Sequence, residues 1–235
     1  MWKKQKVSVV FSTYNEKDSI KKSIEEFFNT DYVDEIIVVN NNAVKGTSEE
    51  IAKTKAIEIF EKRQGYGWGY RRGLNEATGD LIIMSEPDGT FFGKDILKLL
   101  AYSDDFDVVF GTRTRDVLIL ENANMGTFLR HGNWALAKFV EVFFNTTSLS
   151  DCGCTMRLIR RNALKKIQPF FMQGSSSFGF EMMLLTILKK IKFIEIPVHY
   201  GKRIGKSSVT GSFVKAFKLG MQMFFLSIKY KFKYF

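Results

Sequence analysis

Glu86 and Asp88 stand one residue apart, immediately after the apolar run Asp80–Ser85. Two carboxylates at that spacing can converge on one divalent cation, and Pro87 between them stiffens their backbone. Mg²⁺ takes few protein carboxylates and completes its octahedron with phosphate oxygens and water. A cation there would neutralise a diphosphate as its bond to carbon breaks. The same residues also spell a good turn, Pro-Asp-Gly. Gly65-Tyr-Gly-Trp-Gly lacks the G-x-G-x-x-G spacing of a dinucleotide fingerprint. It suits either a backbone passing close to a nucleotide or a tight strand-to-helix connection.

These residues need a scaffold, and the hydrophobic pattern supplies one. Val7–Ser12, Glu35–Val39, Ala56–Phe60, Asp80–Ser85 and Asp107–Gly111 read as strands. Helices are expected over Glu16–Phe28, Thr47–Thr54, Tyr70–Ala77 and Lys94–Ala101. Such alternation means βαβ units and a mostly parallel sheet flanked by helices. Ligands bind such sheets beyond the carboxyl ends of the strands. The polar clusters fall there: Ser12–Glu16, Asn40–Asn42, Arg63–Gly69 and Glu86–Thr90. Further on, a long helix is expected over Met125–Phe144, a strand over Thr155–Ile159, a helix over Phe180–Lys190 and a strand over Lys192–Pro197.

Composition narrows the class. The chain has 235 residues and is 45% hydrophobic, enough for one sizeable core. Its net charge of +10 is uneven. Residues 1–188 hold 24 basic and 24 acidic side chains, whereas residues 189–235 hold 11 basic side chains and one acid, Glu195. That excludes a uniformly basic coat and describes a neutral body with a cationic tail. Cys152 and Cys154 are too few for a disulfide framework or a four-ligand zinc site. The first residues read as a strand rather than a signal peptide. The uncharged run Leu219–Ile228 is half the ~20 residues a spanning helix needs. Residues 212–235 instead read as a basic amphipathic helix appended to a single domain, residues 1–211. Phe213, Phe217, Met221, Phe224 and Ile228 form its apolar side, with Lys215, Lys218, Gln222 and Lys229 opposite. This pattern suits an anionic membrane surface, with a helix packed on the body or an oligomer contact as the alternative; nucleic acid is not expected as a partner. A cytoplasmic protein, peripheral on the cytoplasmic membrane face, follows.

Taken in order, Ser12-Thr-Tyr-Asn-Glu16, Glu35-Ile-Ile-Val-Val-Asn40-Asn-Asn, Gly65-x-Gly67 and Glu86-Pro-Asp88 resemble a family 2 inverting glycosyltransferase of the GT-A fold. Gly111-Thr-Arg113, Ser150-Asp-Cys-Gly-Cys-Thr-Met-Arg157 and Glu195-Ile-Pro-Val-His-Tyr-x-x-Arg203-x-x-Gly-Lys206-Ser207 extend the resemblance over about residues 7–208. The last two are most similar to the dolichyl- or polyprenyl-phosphate mannose synthase branch. The resemblance implies a nucleotide-binding half, about residues 1–111, and an acceptor half, about residues 112–211. It implies that Ser12, Thr13, Tyr14, Asn15 and Glu16 line the nucleotide pocket with Asn40, Asn41, Arg63, Gly65 and Gly67. Asn40 and Asn41 replace a usual Asp-Asp pair, and an amide donates as well as accepts. Glu86 and Asp88 match the family's Asp-x-Asp site for Mg²⁺ or Mn²⁺, with Glu86 one methylene longer.

The resemblance also gives the later cations a task. Arg113 and Arg130 are implied at the acceptor's phosphate and Arg203, with Lys206, at the donor diphosphate; Arg157 and Ser207 join them as phosphate- or acceptor-binding candidates, and a guanidinium fork suits phosphate. The implied reaction moves a sugar from GDP-mannose or a UDP-sugar to a polyprenyl or dolichyl phosphate. A related reading has a glycan or lipid-linked saccharide hydroxyl as acceptor. That chemistry needs a base, for which Glu181 and Asp151 are the candidates; with the cation ligand Asp88 they make up the catalytic set. A helix-terminal acid and a structural hydrogen-bonding group are their alternative readings. A non-catalytic basic protein on membrane or nucleic acid is the reading from another class.

Overall fold

The computed structural model describes residues 1–121, 123, 126–205 and 213–234. Seven strands form one sheet: β1 (Val7–Thr13), β2 (Glu35–Asn40), β3 (Ile57–Phe60), β4 (Leu81–Met84), β5 (Val108–Thr112), β6 (Arg157–Arg160) and β7 (Phe193–Pro197). Their order is β3-β2-β1-β4-β6-β5-β7. All neighbouring pairs are parallel except those of β6, which runs antiparallel to both β4 and β5. Reversal of β6 brings the start of that strand, rather than its end, to the edge where the other strands finish.

Alternation along the strands divides the core. Val10, Ile37, Ile82, Val108 and Ile159 face one side, where they pack with α3 (Tyr66–Glu76), α5 (Thr127–Phe144), α6 (Arg161–Ile167), α7 (Phe178–Leu188) and α8 (Phe213–Tyr234). Val9, Phe11, Ile36, Val38 and Ile83 face the other, against α1 (Lys17–Phe28), α2 (Thr47–Ile51) and α4 (Ile96–Tyr102). The result is the helix–sheet–helix layering expected of continuous apolar strands.

Three elements depart from the sequence pattern. Helix α3 begins at Tyr66, so Gly67 and Gly69 lie inside its first turns rather than in a break before it. A Cβ at Gly69 would sit 2.0 Å from Ser12 Oγ, and one at Gly67 would sit 2.8 Å from the Gln173 carbonyl oxygen. These glycines therefore let α3 lie against the end of β1 and the 173–174 backbone. Helix α6 interrupts a stretch in which the pattern gave no element. Helix α8 docks through Met223, Leu226 and Tyr230, all buried. That face is turned away from the anticipated apolar stripe, so Phe213, Phe217 and Met221 remain exposed.

The sheet is tied at its opposite edge by Glu35. Its carboxylate accepts from Ser8 Oγ, from Thr78 N at 2.6 Å and Thr78 Oγ1 at 2.7 Å, and from Lys6 Nζ at 2.9 Å. Burial works to raise this carboxyl, but the four hydrogen bonds outweigh it and hold Glu35 at about 2. A depressed carboxylate contributes stability that is complete above its unfolded value and is lost as pH falls through the folded one. Glu35→Gln is thus expected to cost about 1–3 kcal/mol at neutral pH. Between pH 4.5 and 2, the wild type should lose this advantage, so the two urea-unfolding curves converge.

Candidate active site

Because every strand but β6 ends at one edge and β6 begins there, seven connections meet over a single cavity of about 780 Å³. Ser12, Thr13, Tyr14, Asn15 and Glu16 line it from the end of β1. Asn41, Gly65 and Glu86 line it from the neighbouring strands, and Arg113, Arg157 and Arg203 from the far half of the sheet. Those eleven expected residues are brought together.

The acidic centre is ordered from both ends of each carboxylate. Glu16 Oε2 accepts from the backbone N–H groups of Tyr14 at 2.7 Å and Asn15 at 2.9 Å. Asp88 is fully buried, and its Oδ1 accepts from Thr90 N at 2.9 Å and Thr90 Oγ1 at 2.5 Å. Glu86 Oε1 accepts from Thr155 Oγ1 at 2.6 Å, and Thr155 in turn meets the Tyr66 hydroxyl at 2.7 Å. The remaining oxygens turn to Arg203. Its Nη2 is 2.9 Å from Glu86 Oε2 and contacts Asp88 Oδ2, and its Nη1 is 3.7 Å from Glu16 Oε1. Burial, reinforced by the Asp88 charge, raises Glu86 to about 7, with Arg203 opposing the rise.

The donor set fits a hard divalent cation. Asp88 Oδ2 is a buried oxygen that accepts no hydrogen bond, and Glu86 lies beside it. Among the described residues no three His, Cys, Asp or Glu side chains form a metal cage. Two carboxylates with phosphate and water completing the shell is the arrangement Mg²⁺ favours.

Several expected residues turn elsewhere. Asn40 donates to Ser48 and Glu58 and accepts from Ala43 N, so its amide braces the end of β2 outside the cavity lining. Asn41 donates to the carbonyls of Glu61 and Arg63 and accepts from Gly65 N at 2.8 Å, which fixes the loop leading into α3. Arg63 forks onto Glu61 and stacks 3.9 Å from the Trp68 ring centre. Gly67 packs on Gly174, as above. Arg130 pairs with Asp116, outside the lining. Lys206 and Ser207 lie outside the described residues.

Both candidate bases are already committed. Fully buried Asp151 holds Arg113 by a two-pronged pair, from Nε at 2.8 Å and Nη2 at 2.9 Å, and also accepts from Arg113 N and Gly153 N. Burial would raise its carboxyl, but the Arg113 charge more than offsets this and lowers it. Glu181, also fully buried, accepts from Met172 N at 2.8 Å, Gln173 N at 3.0 Å and the Tyr230 hydroxyl. It anchors α8 and lies outside the cavity lining. Arg157 spends its guanidinium on the carbonyls of Thr155, Cys154 and Gly179 and lies at the cavity floor. Burial lowers its affinity for the proton. It positions the Cys154–Thr155 backbone rather than offering a free fork.

Tyr66, Thr90 and Thr155 escaped the sequence reading. Thr90 sits inside the polar Glu86–Thr90 cluster, but nothing local marks Tyr66 or Thr155, since Thr155 reaches Glu86 across 69 positions only because β6 is reversed. The cavity then continues away from the carboxylates. Leu129, Leu136 and Phe139 of α5 and Leu219, Met223 and Phe224 of α8 line this second, apolar end, with Arg113 among the lining residues.

Residues 8–168 match the family described as Glycosyl transferase family 2. Low-salt glycan biosynthesis hexosyltransferase Agl6 of Haloferax volcanii is 28% identical over 210 residues, covering 86% of this chain and 49% of that protein. The chain therefore spans about half the length of that relative. Dolichyl-phosphate beta-glucosyltransferase of Saccharomyces cerevisiae is 24% identical over 225 residues, covering 83% of this chain and 66% of that protein. Glucosyl-3-phosphoglycerate synthase from Mycobacterium tuberculosis, solved with Mn²⁺, UDP and phosphoglyceric acid, superposes with a TM-score of 0.75 at 13% identity. That alignment covers 97% of this chain and 78% of the other, and it establishes the shared fold.

A buried ion pair broken on one side costs about 3–5 kcal/mol. Asp151→Ala is therefore expected to lower unfolding free energy by that amount, because it leaves Arg113 buried and unpaired. A catalytic base would behave oppositely, losing turnover with stability intact. Urea unfolding measured beside turnover separates the two.

Proposed function

This chain belongs to glycosyltransferase family 2, and from that premise we propose that it moves a hexosyl group from a nucleoside-diphosphate sugar to a polyprenyl or dolichyl phosphate. The carrying observation is the two-ended cavity, polar beside Glu16, Glu86 and Arg203 and apolar between α5 and α8, with Arg113 among its lining. A charged phosphate on a hydrocarbon chain has this same division. The yeast relative, a dolichyl-phosphate glucosyltransferase, supports the acceptor, and the haloarchaeal hexosyltransferase supports a hexosyl donor.

On this reading the residues divide the work. The Ser12–Glu16 segment holds the nucleotide, GDP or UDP, and Asn41 fixes the loop that backs it. Asp88 and Glu86 hold Mg²⁺ or Mn²⁺, which supplies positive charge against the leaving diphosphate. Structural neighbours crystallised with Mn²⁺ and UDP support such a cation. Arg203 moves onto the diphosphate, and Arg113, held rigid by Asp151, grips the acceptor phosphate. An acceptor phosphate oxygen forms the new bond to the anomeric carbon while the old carbon–oxygen bond breaks and its electron pair leaves with the diphosphate. The configuration inverts. The acceptor is already ionised, so no proton has to be removed, and positioning and charge carry the catalysis. This agrees with the committed hydrogen bonding of Asp151 and Glu181. A sugar hydroxyl acceptor would need a base on the acceptor side. Among the described residues, the carboxylates lining the cavity are Glu16 and Glu86, both beside Arg203.

The outer face of α8 serves the same reading. Val214 and Phe225 stay exposed, with Lys218 and Lys229 among them along the helix. No helix among the described residues is long and apolar enough to cross a membrane. A peripheral hold on an anionic, cytoplasm-facing lipid surface would bring the apolar end of the cavity to its acceptor.

Three outcomes are expected. Asp88→Asn should lower turnover roughly a hundredfold or more in a transfer assay with a labelled sugar donor and polyprenyl phosphate. Retained activity would reject its role. Arg113→Lys keeps a charge for Asp151 but loses the planar fork; the KM for the lipid phosphate should rise about tenfold while calorimetric nucleotide affinity holds. Val214→Glu with Phe225→Glu should weaken sedimentation with anionic liposomes by about tenfold or more. Unchanged sedimentation would defeat the membrane contact.

A further inference from the structure

Each of the three carboxylates around Arg203 is fastened by one oxygen and presents the other to the guanidinium. Glu16 is fastened by two backbone N–H groups, Glu86 by Thr155 and Asp88 by Thr90. None of those fastenings involves Arg203. Removing its side chain would leave the carboxylates pinned where they stand, with their inward oxygens facing one another and no cation between them. Asp88 Oδ2 is the most exacting of these: it is buried, accepts no hydrogen bond, and has Arg203 as its ion partner.

Arg203 is delivered by backbone pairing. Gly201 N donates to the Thr90 carbonyl and Ile204 N to the Asp88 carbonyl, both at 2.8 Å. The Ile204 side chain closes over Gly89, whose φ of +82° suits glycine. The 201–204 strip is thereby laced to the loop that carries Asp88, independently of the arginine head. The long side chain can turn while its backbone stays.

We propose that Arg203 is the resident counter-cation of Asp88 and Glu86, and that a divalent cation and this guanidinium occupy the two carboxylates by exchange. This rests on the assignment of Asp88 and Glu86 as the cation-holding pair. Two positive groups cannot share the same carboxylate oxygens without strong repulsion in a buried setting. Entry of the divalent cation therefore expels the guanidinium from Asp88 Oδ2 and frees its planar donor fork for another anion. A nucleoside diphosphate is the anion at hand, and its binding compensates for the ion pairs Arg203 gives up. Cation and diphosphate consequently load with positive coupling, each raising the affinity for the other by the same factor. Glu16, at 3.7 Å from Nη1, guides the side chain during the exchange, since its inward oxygen lies outside the Asp88–Glu86 pair.

The test needs no turnover. Mn²⁺ is titrated into the full chain by calorimetry, alone and with GDP or UDP, for the wild type, Arg203→Ala and Arg203→Lys. Removing the competing cation should tighten Mn²⁺ alone by roughly tenfold in Arg203→Ala. Nucleoside diphosphate should tighten Mn²⁺ in the wild type and do so several-fold less in the alanine variant. Arg203→Lys keeps the competing charge, so its affinity for Mn²⁺ alone should stay within about threefold of wild type. Should Arg203→Ala fail to fold, Arg203→Gln, which keeps much of the side chain without the charge, takes its place with the same expectation. Mn²⁺ binding equal in wild type and Arg203→Ala overturns the exchange and leaves the Asp88–Glu86 assignment standing. No Mn²⁺ binding to either, with or without diphosphate, overturns that assignment and the exchange with it.

Discussion

A carboxylate stripped of water must be met by positive charge or hydrogen bonds, and Asp88 is stripped completely. Thr90 satisfies one of its oxygens and Arg203 neutralises the other. This one requirement binds the loop after β4 to the segment after β7, 115 positions away in sequence. It also draws in Glu86 and Glu16, because a guanidinium that has paid to leave water gathers every acidic oxygen within reach. The site's acidic centre, its basic counterpart and the closure of the cavity at that end all follow from the burial of Asp88.

A second buried pair governs the other end. Asp151 holds Arg113 by two prongs, so the fork's orientation is fixed before any ligand arrives. Glu181 performs a mechanical task of similar kind, gathering Met172, Gln173 and Tyr230 and so seating α8. With α8 seated, Met223 and Phe224 face α5 and complete the apolar end of the cavity. Three buried acids thus tie one loop to another, orient an arginine and seat a helix. Their chemistry differs because their partners differ.

The strands were readable because five of them are near-continuous apolar runs closed by polar residues, and local pattern suffices for that. The same pattern placed the Ser12–Glu16, Asn41 and Glu86 loops at one edge, where the structure has them. Reversal of β6 was not readable. Four residues, Arg157–Arg160, carry no mark of direction, and direction depends on how the chain returns through α5. The face of α8 that packs was misjudged for a related reason: both sides of that helix are apolar, and only the shape of α5 and α7 chooses between them.

The sequence by itself determined the family, the alternation of strands and helices, and the presence of paired acids and scattered arginines beyond the strand ends. Residue type and short-range spacing carry that much. Tertiary structure decided which of those charges are spent and which are available. Asp151 and Glu181 look like Asp88 on paper, yet their oxygens are consumed by hydrogen bonds while Asp88 Oδ2 is left facing a cation. Arg157 looks like Arg113, yet it serves backbone carbonyls. Availability depends on partners brought in from distant parts of the chain, through burial that no local pattern encodes.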